Sequence, residues 1–130
     1  EDLSFVCNCV SGNVESVKKH IKKYSVLPNS KTMLFGFFDA CLVGNLSIVK
    51  YLRETYNIPI TEGYMVSSCE KGHFETVKYL ISELKKVDLD DDIDLELYIN
   101  WTENGIMGDA NKEDAEKLLK YLKNLRQSKL

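Results

Sequence analysis

Apolar residues recur at helical spacing in four stretches of the chain. Val14, Val17, Ile21 and Tyr24 are separated by steps of three, four and three, which places them on one helix face. Leu46, Val49 and Leu52 repeat the pattern, as do Phe74, Val77, Ile81 and Leu84, and then Leu118, Leu119, Leu122 and Leu125. Ahead of each face lies a shorter run that opens on two large apolar residues: Phe5-Val6, Phe37-Phe38, Met65-Val66 and Tyr98-Ile99. The pattern predicts a shorter helix, a glycine-containing turn and a second, amphipathic helix, four times over.

The four copies align on Gly12, Gly44, Gly72 and Gly105, at intervals of 32, 28 and 33 residues. Three of them place a cysteine three residues before the glycine, at Cys9, Cys41 and Cys69, and the fourth has Thr102 there. Val17, Val49 and Val77 each fall five residues after it and are followed by Lys18, Lys50 and Lys78. The fourth copy is interrupted from Ile106 to Asp114 and resumes at Ala115 with Lys120-Tyr121-Leu122, close to Lys78-Tyr79-Leu80. Each glycine suits a helix C-terminus, where a left-handed residue costs least without a Cβ. One such hairpin cannot bury its apolar face alone, so the copies are expected to stack.

These residues resemble ankyrin repeats. The stretch Ala40-Cys-Leu-Val-Gly44-Asn-Leu-Ser-Ile-Val-Lys-Tyr-Leu52 is similar to the family pattern of two small residues, a two-residue gap, Gly-His or Gly-Asn and an apolar helix. Ser68-Cys-Glu-Lys-Gly72-His-Phe-Glu-Thr-Val-Lys-Tyr-Leu-Ile81 matches about as well. The resemblance runs over residues 3–126 and implies an all-α solenoid of about four stacked helix-turn-helix repeats. The units are expected at about 3–28, 33–60, 61–87 and 93–126, in one domain over 1–130. The Thr-Pro-Leu-His opening of an ordinary ankyrin repeat is absent from all four copies, which read Leu3-Ser-Phe-Val6, Phe35-Gly-Phe-Phe38, Gly63-Tyr-Met-Val66 and Glu96-Leu-Tyr-Ile99. That absence leaves open whether β-hairpin fingers form or simple loops join the units. Such Val-Lys-Tyr-Leu-rich copies are similar to ankyrin-like repeats of large DNA viruses and protists. TPR repeats are the alternative helical architecture, and their Trp-Leu-Gly-Tyr pattern is missing.

Composition agrees with a small globular domain. The 130 residues are 44% apolar and 28% charged, with two prolines and seven glycines, which favours helices over a turn-rich sandwich. The net charge of −3 implies no nucleic-acid partner by itself. No apolar run is long enough for a membrane helix. The opening Glu1-Asp2-Leu3 carries neither a basic region nor an apolar one, so no signal peptide is visible. The chain also lacks an initiator Met, as a processed chain or a fragment of a longer array would. Free thiols and the missing secretory signal point to the cytoplasm or nucleus.

Catalytic and metal chemistry find little support. Cys7, Cys9, Cys41 and Cys69 do not have zinc spacing, and the repeat column reads as buried free thiols acting as small hydrophobes. Asp88, Asp90 and Asp92 match the first ligands of a calcium loop, but Ile93 stands where the loop needs Gly and Ile99 where it needs Glu. Asp109 or Asn111 is placed to cap the helix that begins near Lys112. His73 fills the Gly-His slot of its repeat, which in ankyrin proteins is structural, and His20, on a Lys-rich helix, is expected to be exposed. No P-loop, dinucleotide fingerprint or nucleophile motif is present. The chain is therefore read as non-catalytic, with no metal and no cofactor. Lys18, Lys19, Lys22 and Lys23 form a basic cluster without interleaved aromatics, an alternative surface for nucleic acid or anionic lipid.

The favoured partner is another protein. In ankyrin-type stacks, the resemblance implies, contacts use the concave face, the loop tips and the two residues before each glycine. Those pairs are Val10-Ser11, Leu42-Val43, Glu70-Lys71 and Glu103-Asn104. Val10, Leu42 and Val43 would form an apolar strip if exposed, the kind of patch that marks an interaction site. Glu70, Lys71 and the loops at Thr32 and Thr61 complete the candidate contacts.

Overall fold

The helices begin and end where the chain's local chemistry directs. In the computed structural model, which describes residues 3–87 and 93–128, α1 (Leu3–Ser11) and α2 (Val14–Tyr24) form the first hairpin. The second is α3 (Lys31–Val43) and α4 (Leu46–Tyr56), and the third α5 (Glu62–Glu70) and α6 (Phe74–Lys86). The fourth is α7 (Leu95–Met107) and α8 (Lys112–Ser128). The described residues contain no strand, and loops join α2 to α3 and α4 to α5. Asn13 starts α2 with a capping box: its side chain accepts from the Ser16 N–H at 2.8 Å, and Ser16 Oγ accepts from the Asn13 N–H at 3.1 Å. Ser30 and Asp94 cap α3 and α7. At α8 the cap is Asn111, whose Oδ1 accepts from the Asp114 N–H at 3.1 Å.

The turns divide the four aligned glycines. Gly44 and Gly72 have φ of 75° and 74°, in the left-handed region that favours glycine. Both are followed by the same bond, Asn45 N–H to Ala40 O at 2.9 Å and His73 N–H to Ser68 O at 3.0 Å. Gly12 does not adopt a positive φ. Gly105 lies inside α7, which continues to Met107 before turning through Gly108. Its expected role as a turn residue is therefore corrected. A Cβ on Gly105 would collide with the backbone carbonyl of Glu70, so this glycine serves the close approach of α7 to α5.

The chain divides into two compact units, Glu1–Pro59 and Ile60–Leu130. In the first, α1 packs beside α3 and α2 beside α4. Phe5, Cys9, Met33, Phe37, Ile48, Val49 and Leu52 form its core. The Asn45 amide donates to the carbonyls of Cys9 at 3.2 Å and Gly12 at 3.3 Å, which sets the C-terminal ends of α1 and α3 side by side. Arg53 is buried and satisfied by donating to the Ile58 carbonyl at 2.7 Å. The second unit repeats the scheme, with α5 beside α7 and α6 beside α8. Its core is built of Met65, Cys69, Val77, Leu80, Ile81, Tyr98, Ile99, Leu118 and Leu122. Thr102, the residue in place of a cysteine, is buried and donates to the Tyr98 carbonyl at 2.8 Å.

Burial follows the repeat, with three departures. Val17, Val49 and Val77 are inaccessible, and Lys18, Lys50 and Lys78 after them are exposed. Tyr24, assigned to the apolar face of α2, is 56% exposed, and His20 is buried in its stead. His20 lies three residues after Val17, on the same helix face, so its lysine neighbours do not carry it outward. Its ring packs against Phe5, centroids 5.6 Å apart, and its Nδ1 lies 3.3 Å from Asn8 Nδ2. Cys9, Cys41 and Cys69 are buried as expected, whereas Cys7 is exposed. Two residues along a helix turn a side chain through about 200°, away from the face that buries Cys9. Of the calcium-loop residues, Asp88, Asp90 and Asp92 lie outside the described residues, and Ile93 and Ile99 are buried.

Two measurements test this packing. Burial pushes the thiols of Cys9, Cys41 and Cys69 up to about 12 from an ordinary 9.0. The folded chain therefore keeps protons that the unfolded chain loses. That contribution to stability is complete below about pH 9 and is lost as the pH rises towards 12. The urea midpoint should fall between about pH 8 and about pH 10.5, and fall less in a Cys9→Ala/Cys41→Ala variant. A thiol reagent should modify only Cys7 in the native state and all four cysteines in denaturant. Gly105→Ala gains about 1 kcal/mol of helix propensity but must displace the Glu70 backbone. A net loss of about 1–3 kcal/mol is expected in urea titrations, against little change for Gly108→Ala.

Candidate functional site

Repeat register places four residues of each first helix on its solvent side. In α3 they are Phe35, Asp39, Leu42 and Val43, at the i, i+4, i+7 and i+8 spacing of one helix face. The equivalent residues are Leu3, Cys7, Val10 and Ser11 in α1, Gly63, Ser67, Glu70 and Lys71 in α5, and Glu96, Asn100, Glu103 and Asn104 in α7. In the first unit six of the eight are apolar or thiol side chains, whereas none is in the second. Leu3 is 71% exposed, Phe35 49% and Val43 42%, with Val10 and Leu42 half-buried beside them. Because α1 and α3 lie side by side with their C-terminal ends matched, these residues belong to one face of the first unit.

The second unit's row pairs within its own chain. Glu70 accepts from Asn104 Nδ2 at 3.2 Å, and Lys71 lies 3.7 Å from Asp109. Glu96 meets Arg126 at 3.1 Å, and Glu103 meets Lys123 at 3.8 Å. Such exposed pairs contribute little stability. They nevertheless leave a solvated, charge-matched surface.

The residues singled out from the sequence fall into separate groups. Val10, Leu42 and Val43 come together at the C-terminal ends of α1 and α3, where the Asn45 amide also reaches the Val10 carbonyl at 3.5 Å. Glu70 and Lys71 belong to the other unit and to its internal pairing. Thr32 stands in the first turn of α3, about 15 Å along the helix from Leu42. It lines a cavity of about 200 Å³ with Tyr24 and Leu27. Thr61 precedes α5 and lines a cavity of about 300 Å³ with Met65 and Tyr98. Sequence reasoning missed Phe35, Leu3 and Cys7. The signal for Phe35 was its position seven and eight residues before Leu42 and Val43, two helical turns back on the same face.

Lys18, Lys19, Lys22 and Lys23 are all exposed. Contrary to expectation, aromatic rings accompany them: Lys18 Nζ lies 5.3 Å from the Tyr51 ring centre and Lys23 Nζ 5.2 Å from that of Tyr24. Tyr51 comes from α4, a tertiary neighbour that spacing along α2 cannot reveal. Lys18 also lies 3.6 Å from Glu15. No described helix is long and apolar enough to cross a membrane.

Helix-turn-helix hairpins whose first helices lie side by side, with glycine turns and a column of small buried residues, make an all-helical repeat architecture similar to that of ankyrin repeats. Among curated proteins the sequence is similar to an ankyrin repeat protein of Acanthamoeba polyphaga mimivirus, 27% identical over 104 residues. The match covers 62% of this chain and 48% of the relative, so the chain spans about half the relative's length. No family model matches the sequence, and no solved structure matches it. Fold and likeness agree that the chain is ankyrin-repeat-like, and repeats of that kind are in general protein-interaction modules.

Proposed function

We propose that this chain is a non-catalytic protein-interaction module whose docking surface is the solvent face of α1 and α3. The observation that carries this reading is the contrast between equivalent rows. Leu3, Cys7, Val10, Phe35, Leu42 and Val43 are displayed where the second unit displays Ser67, Glu70, Lys71, Glu96, Asn100, Glu103 and Asn104. Repeat architecture does not require apolar residues there, since the second unit folds without them. Clustered exposed apolar side chains on a soluble domain mark interaction sites. The row extends the Val10/Leu42/Val43 strip towards the N-terminal ends of the two helices, where Thr32 stands in the first turn of α3. Thr61, Glu70 and Lys71 are separate candidates that belong to the second unit.

The lysine face of α2 is the weaker candidate. Glu15 and the rings of Tyr24 and Tyr51 already attend two of its four ammonium groups. Short charge runs on a helix are commonly solvated surface.

A photo-crosslinking amino acid at position 43, in cells of the native host, should give discrete adducts with a partner protein. The same group at position 100, the second unit's equivalent of Asp39, should give none. Phe35→Ser should remove the adducts at position 43 while leaving the helical circular dichroism unchanged. Equal labelling from both positions, or adducts indifferent to Phe35→Ser, would assign binding elsewhere.

A further inference from the structure

One carboxylate interrupts the apolar row of the first unit. Asp39 stands on α3 four residues after Phe35, three before Leu42 and four before Val43. It is half-buried, and among the described residues it has no hydrogen bond and no ion pair. The nearest cation on its own helix face is Lys31, eight residues and about 12 Å away. Its equivalent in α1 is Cys7, which offers no counter-charge. The carboxylates in the second unit's row behave differently. Glu96, Glu103 and Glu70 are met within the chain by Arg126 at 3.1 Å, Lys123 at 3.8 Å and Asn104 at 3.2 Å. Among the described residues Asp39 is the carboxylate of the row with no such partner, and the group its charge acts on is the buried thiol of Cys9, which gives it no cation.

A partner that covers Phe35, Leu42 and Val43 must also strip water from Asp39. Burying an unmatched carboxylate costs several kcal/mol, more than one apolar side chain returns. A cation set against it removes that cost and adds a charge-assisted hydrogen bond. We propose that Asp39 receives a Lys or Arg side chain of the partner, so that the recognised segment carries a cation between apolar residues. This rests on the reading above that the α1–α3 face is the docking surface. Asp39 thereby sets specificity, since purely apolar and acidic segments of the same shape are rejected by its unmatched charge.

The test is selection from a random peptide library displayed on phage, panned against the full chain and three variants: Asp39→Asn, Asp39→Lys and Phe35→Ser/Val43→Ser. Circular dichroism checks that each is folded. Peptides selected on the wild type should carry Lys or Arg flanked by apolar residues, and should bind Asp39→Asn about tenfold more weakly. Asp39→Lys should select Asp or Glu within the same apolar frame. Apolar peptides that need Phe35 and Val43 but bind wild type and Asp39→Asn equally would overturn the cation and leave the docking face standing. Peptides that bind the Phe35→Ser/Val43→Ser variant as well as the wild type would remove the docking face and the inference with it. Self-association of the wild type, abolished by Phe35→Ser/Val43→Ser, would assign the face to a second copy and overturn the proposal.

Discussion

Within each unit the first helices approach so closely that side chains must be given up along the line of contact. In the first unit a Cβ on Gly36 would run into the Phe5 ring and Cys9 Sγ, and in the second a Cβ on Gly105 would run into the Glu70 carbonyl. The rest of the packing follows from this constraint. Residues beside the contact must be small or slim, which is why Cys9, Ala40, Cys41, Cys69 and Thr102 occupy it and are all inaccessible to solvent. The second helices close the core from the other layer, through Val49 and Leu52 in one unit and Val77, Leu80, Ile81, Leu118 and Leu122 in the other, against the large first-helix side chains Phe5, Met33, Phe37 and Tyr98. The thiols here are packing groups, and burial keeps them protonated far beyond neutral pH.

The contact line uses one side of each first helix, and the residues turned towards solvent are freer to vary. The two units spend that freedom differently. The second fills it with groups that satisfy one another, such as Arg126 with Glu96 and Asn104 with Glu70. The first leaves Phe35 and Val43 in water around a carboxylate with no match. Exposed apolar area contributes nothing to folding. Its concentration on a face turned towards solvent is the physical ground for reading it as a place where something else binds.

Much of this was legible in the sequence. Periodicity placed the paired helices, and the Val-Lys columns marked which residues go in and which stay out. Alignment on glycine succeeded at Gly44 and Gly72, where a left-handed turn is required. It misled at Gly105, because a glycine kept for close approach looks identical in a sequence to one kept for a turn. The partner atom, the Glu70 carbonyl, lies on another helix. His20 was misread for a related reason: composition of the neighbourhood was weighed above position on the helix face. For the candidate face, the pre-glycine pairs located its C-terminal end only. Phe35 was within reach of the same periodicity, whereas the solitude of Asp39 needed three-dimensional neighbours to be seen.

The pairing of helices carries a consequence in time. Every substantial contact joins a helix to the next one or the next but one, so contacting residues are never far apart along the chain. Loop closures of that length are quick, and proteins dominated by them fold far faster than those that pair distant segments. During synthesis the four helices that pack within the first unit are all available to one another once Pro59 clears the ribosome. The α1–α3 surface can therefore form while the ribosome is still adding residues to the second unit.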